Sequence, residues 1–191
     1  MKYLVYRVAC TKLRGQAPEI QGIGTLALDL AEGSGRSTAD LGICIDAPAS
    51  MTEWFAQRSG ALGDRLIGWW PGHEMAAVLS CALVNGIDFG HYFQRHQDVL
   101  GERHLDLRGW LAGHCWISTL AHQAQWLKIK LPADLMTRLA LECFVVAATC
   151  VRIQVTMGML DIRGRASTMD LVGSAFRCSD MATPVVMKQI D

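Results

Sequence analysis

The sequence predicts an α/β fold in which a mixed sheet is flanked by helices, and three observations carry that expectation. Three short runs rich in Val, Ile, Leu and Tyr come first, at 2–10, 23–30 and 39–46. From Met51 onward patterns of helical period dominate, with one further strand-like run at 65–70 among them. Strands first, then a helix, a strand and several helices assemble most economically as one sheet with helices packed on it.

The first run, within MKYLVYRVACTK, has no cleavage-site pattern and reads as a strand, not as a signal peptide. The second and third are separated by AEGSGRS, which reads as a hairpin connection. MTEWFAQRSG offers Ser50 as an N-cap and arranges Trp54, Phe55 and Leu62 around a helix. RLIGWW follows as a short strand and Pro71-Gly72 as a turn. HEMAAVLSCALVNG repeats apolar residues at Met75, Val78, Leu79, Ala82 and Leu83, a helical period that Asn85-Gly86 ends. HLDLRGWLAG and STLAHQAQWLKIKLP give two short helical segments, and 133–161 gives a long one with a break near Gly158. The last residues are less patterned, so the chain divides into a domain at 1–165 and a C-terminal extension at 166–191.

With 191 residues, 51% of them hydrophobic, the chain has enough material for one domain with a sizeable core. Lys plus Arg and Asp plus Glu number 18 each, so no overall field attracts a phosphate backbone, and any nucleic-acid binding needs a local patch. The 7 cysteines are scattered without a C-x-x-C pair, which fits neither a disulfide framework nor a zinc ribbon and points to a reducing cytoplasm. The most apolar stretch, Leu139–Val151, is too short to span a bilayer and contains Glu142, so a membrane protein is not expected. Neutral charge with high apolar content favours a surface covered by a protein partner or a second copy.

The polar residues sharpen this outline. GTLALDLAEG puts Asp29 at the end of an apolar strand with Glu32 close behind. EWFAQRSGALGDRLIGWWPGHEMAAVLSCALVNGI runs helix, strand, helix, with Gly68, Trp69 and Trp70 at the strand end and His73-Glu74 opening the second helix. RHLDLRGWLAG and LECFVVAATCVRIQVTMGMLDIRGR follow in order. In this sequence of motifs the chain resembles the ribonuclease-H-like DEDD 3′–5′ exonucleases, in the branch related to family-B DNA polymerase proofreading domains, over a core of 22–165. The family's first motif is an apolar strand ending in Asp-x-Glu. Here its glutamate falls on Ala31, and Glu32 comes one residue late, so a bulge would be needed to return its side chain to the same face. Gly68 and Trp69 match the second motif, Trp70 stands where asparagine is usual, and His73-Glu74 stands for Phe-Asp. In the last helix the family's tyrosine falls on Leu141 and its aspartate on Val145, while Val146, Thr149, Arg163 and Gly164 match.

The resemblance implies a two-metal site, with Mg²⁺ or Mn²⁺ ions about 4 Å apart activating water and clamping the scissile phosphate. Hard ions want oxygen ligands, and Leu141 and Val145 offer none. What remains is a partial catalytic set of Asp29, Glu32 and Glu74, with Asp29 and Glu74 able to hold one ion weakly, or no ion held at all. Glu142, three residues before Val145, is a possible substitute ligand. The plainer reading makes Asp29 and Glu74 ordinary strand-end and helix-start polarity. Trp69, Trp70 and His73 are the candidates for contact with DNA or RNA through stacking. Against that stands core burial of one tryptophan, with His73 packed on Trp69 or Trp70. His91, His96, His104, Asp106, His114 and His122 lack His-x-x-x-His spacing, and His104 and Asp106 read as structural. Arg152, Arg163, Arg165 and Lys188 offer a phosphate-facing patch or merely a solvated face. The expected function is therefore a degenerate exonuclease-like subunit that binds nucleic acid or a protein in a DNA-processing assembly. The rivals are an active divergent metal-dependent exonuclease and a purely structural interaction protein.

Overall fold

The apolar strand Lys2–Cys10 (β1) occupies the centre of the sheet, and its alternating side chains feed two separate cores. Tyr3 and Val5 point to one face; Leu4, Tyr6 and Val8 point to the other. The computed structural model describes residues 2–11, 18–29, 37–62, 65–89, 104–114, 119–158 and 162–178. β2 (Ile20–Asp29) pairs antiparallel with β1, and β3 (Thr38–Cys44) antiparallel with β2. On the other side of β1, β4 (Arg65–Gly68) and then β5 (His104–Asp106) add in parallel. The order β3-β2-β1-β4-β5, with β2 alone reversed, is that of a ribonuclease-H-like mixed sheet.

Helices cover both faces, which is why the central strands read as near-continuous apolar runs. α1 (Pro48–Leu62) and α2 (Pro71–Asn85) lie on the side of Leu4, Tyr6 and Val8, contributing Met51, Phe55, Met75 and Val78. The opposite face is covered chiefly by α5 (Leu135–Thr156), which is bordered by α3 (Leu107–His114), α4 (Leu120–Trp126) and α6 (Ile162–Cys178). α2 begins with Pro71 at its first position and ends on Gly86, whose φ of 64° is the left-handed geometry that stops a helix. α5 begins at Asp134, whose carboxylate accepts the Thr137 amide at 2.8 Å.

α5 reaches the sheet because β2 is bare beneath it. A Cβ on Gly22 would lie 2.7 Å from Leu139 Cδ1, and one on Gly24 would lie 3.0 Å from Cys143 Sγ and 3.2 Å from the Leu139 carbonyl. These two glycines set the depth at which α5 packs, and so decide which of its residues meet β1.

Several expectations shift. α1 starts at Pro48, so Ser50 lies inside the helix and is not its cap. His104–Asp106 is a strand, because its backbone completes the ladder of β4; the helix starts only at Leu107. The boundary at 165 falls within α6, whose Val172 is fully buried in the core shared with α5 and β1, so 166–178 belongs to the same packed body. The apolar stretch at 139–151 belongs to a 22-residue helix, long and apolar enough to cross a bilayer, yet 72% of its most apolar window is buried inside the fold. α5 is thus built as a core helix.

Candidate functional site

The two carboxylates expected to share a metal are at opposite ends of the sheet. Asp29 pairs in register with Lys2, at the start of β1. Glu74 reaches Val8, near the other end. Six strand residues separate the two places, about 20 Å at about 3.3 Å per residue. β2 runs antiparallel to β1, so its C-terminal end is carried away from the C-terminal ends of the parallel strands, where α2 begins.

Glu74 meets a different carboxylate. It stands in the first turn of α2, 2% exposed, and accepts hydrogen bonds from the Trp70 amide at 3.3 Å and, at 3.5 Å, from the Val8 amide. Arg7 Nη1 is in direct contact with Glu74 Oε1, and Arg7 Nε donates to Glu142 Oε2 at 3.1 Å. Arg138, one turn before Glu142 on α5, places its Nε 3.2 Å from Glu142 Oε1, an ion pair by distance without hydrogen-bond alignment. Strand β1, the start of α2 and the middle of α5 thus converge on one guanidinium flanked by two buried carboxylates. Val145 and Leu141, by contrast, are buried in the apolar core between α5 and the sheet. The acidic residue that α5 brings to β1 is Glu142, three residues before Val145.

Arg7 was legible as an anomaly. An arginine within LVYRVA, in a strand covered on both faces, has to find a carboxylate, because a buried unpaired charge is prohibitively costly. Composition and motif order alone do not say which carboxylate it finds.

Neither of the paired divalent ions implied by the motif resemblance fits here. An ion held between Glu74 and Glu142 would sit about 4 Å from the guanidinium, and a +2/+1 repulsion at that distance amounts to about 8 kcal/mol at an effective dielectric of about 20. The guanidinium already occupies the space between the carboxylates and pairs with both. Among the described residues no group of three His, Cys, Asp or Glu side chains is arranged to hold a metal.

The aromatic candidates divide. Trp69 is 5% exposed and part of the core, so it offers no face to a base. Trp70 is 41% exposed, but its ring is stacked by His73 at 4.8 Å and carries the Arg108 guanidinium 4.0 Å over it. His104 is buried and hydrogen-bonded to the Tyr6 hydroxyl at 2.6 Å. Asp106 accepts the Gly109 amide at 2.8 Å and caps α3. His122 is exposed on α4, and Arg152 lies 5.7 Å from the Trp126 ring. Glu32, His91, His96 and Lys188 lie outside the described residues, as do the side chains of His114, Arg163 and Arg165.

No protein-family model matches the chain, and no curated protein sequence matches it.

Proposed function

We propose that the chain is a degenerate exonuclease-like domain that acts by binding, as a non-catalytic subunit of a DNA-processing assembly. The observation that carries the reading is Arg7. Two-metal phosphoryl transfer needs carboxylates converging on open space for cations, and here the converging carboxylates Glu74 and Glu142 close on a side-chain cation instead. The reading of Glu142 as a replacement ligand in an active enzyme draws support from its position but meets the same guanidinium. Between nucleic acid and protein as the bound partner, the surroundings of Trp70 favour protein. Its ring is engaged by His73 and Arg108, and a phosphate-binding surface needs several free cations around such a platform. A second copy of the chain would serve as that protein partner equally well. DNA and RNA remain within the proposal as weaker partners, held by stacking and local charge.

The test is incubation of the purified protein with 5′-labelled single-stranded DNA and RNA, in Mg²⁺ and separately in Mn²⁺, with fluorescence anisotropy on the same strands. No shortening from the 3′ end is expected. Shortening that disappears in Glu74→Gln would overturn the proposal, and anisotropy without shortening would assign nucleic acid as the partner.

A further inference from the structure

A second concavity lies at the other end of β1, on the face covered by α5. Its volume is about 220 Å³, and it opens between β4, β5, α3 and the last turns of α5. The body is apolar, formed by Ile67, Leu105, Trp110 and Ile153, with the Cys150 thiol in its wall and exposed Met157 at its rim. Burial raises the Cys150 pKa to about 11, so at neutral pH this wall is uncharged. The polar lining residues are Gln154 on α5 and the pair Tyr3 and Arg65, which face each other in register where β1 meets β4. The Arg65 charge acts on the Tyr3 phenol, whose pKa burial raises and Arg65 partly lowers, so the hydroxyl stays protonated at neutral pH. Arg65 is exposed, and among the described residues no carboxylate pairs with it. Tyr3 and Arg7 are four residues apart on β1, about 13 Å at about 3.3 Å per residue, so this cleft is separate from the arginine-filled site.

An apolar cavity of about 150 Å³ already admits benzene, whereas pockets for drug-sized ligands begin near 300 Å³. A cleft of this size therefore fits a ligand of about ten heavy atoms. An uncharged wall edged by the Arg65 guanidinium, which has no carboxylate partner among the described residues, selects an apolar body bearing an oxyanion head. We infer that the cleft between α5 and the β4–β5 edge binds a small amphipathic anion, with its chain against Ile67, Leu105 and Ile153 and its head on Arg65. This inference is independent of whether the chain cleaves or binds nucleic acid.

The test is calorimetric titration of the full chain with octanoate, octyl phosphate, octanol and octylamine. Saturable binding of octanoate or octyl phosphate is expected, and the tighter of the two identifies the head group. Octanol should bind more weakly and octylamine not at all. Arg65→Gln should weaken the anions about fivefold while leaving octanol unchanged, since the contact is solvent-exposed. Ile153→Trp, checked for native circular dichroism, should abolish binding by filling the cleft; if it does not fold, Met157→Trp at the exposed rim replaces it. No saturable anion binding, equal affinity for octylamine, or binding that persists in a folded cleft-filling variant would each overturn the inference.

Discussion

Removing the guanidinium of Arg7 tests the account of the buried site most directly. In Arg7→Ala, Glu74 and Glu142 stay 2% and 6% exposed, facing one another without the cation that joins them. Breaking a buried pair by deleting one partner costs about 3–5 kcal/mol, because the remaining charge is desolvated and uncompensated. Arg138 offsets part of this only for Glu142, and from a side chain that is 43% exposed. For a chain of this size each kcal/mol shifts Tm by about 2–4 °C, so the variant should melt roughly 10 °C below the wild type at neutral pH. The folded variant can relieve the repulsion by keeping one carboxyl protonated, whereas both ionise when it unfolds. The native state then binds more protons than the unfolded state, so stability falls as pH rises, by up to about 1.4 kcal/mol per unit. Urea unfolding at pH 5.5 and pH 8 measures this: the deficit should be several kcal/mol at pH 8 and clearly smaller at pH 5.5. Replacing all three groups together, as Arg7→Met with Glu74→Gln and Glu142→Gln, should recover much of the loss. A deficit under about 1 kcal/mol that is equal at both pH values would refute the claim that the guanidinium holds two buried charges.

Arg7→Asp should place a third carboxylate beside Glu74 and Glu142, so Mn²⁺ should raise the Tm of this variant and leave the wild type unchanged; a folded variant indifferent to Mn²⁺ would show that Glu74 and Glu142 do not converge. Gly24→Ala should cost about 1–3 kcal/mol in urea unfolding, because its Cβ meets the Leu139 carbonyl at 3.2 Å and Cys143 Sγ at 3.0 Å, and α5 must lift to make room. The Cys150 thiol, raised by burial from 9.0 to about 11, stays protonated in the folded state while the unfolded chain ionises. Its contribution is complete below pH 9 and disappears as pH rises through 11, roughly 3 kcal/mol over the two units. Cys150→Ala should flatten that alkaline decline, and an unchanged decline would place its origin elsewhere.

Much of the fold was legible from local pattern. The apolar runs of β1, β2 and β3, the period of α2 with Gly86 at its end, and the break after α5 near Gly158 are each specified by neighbouring residues in the chain. What misled was likewise local. Asp29 at the end of an apolar strand looks the same whether that strand runs with β1 or against it, and His104–Asp106 becomes a strand only because β4 supplies its hydrogen-bonding partner. The sequence by itself determined the α/β class and the succession of elements apart from β5. Only the tertiary structure decided that Arg7, Glu74 and Glu142 meet, since 67 and 135 positions separate Arg7 from its partners and no periodicity reaches that far. The meeting depends on sheet order, which sends Asp29 to the far end, and on two glycines in β2 that let α5 descend until Glu142 touches β1.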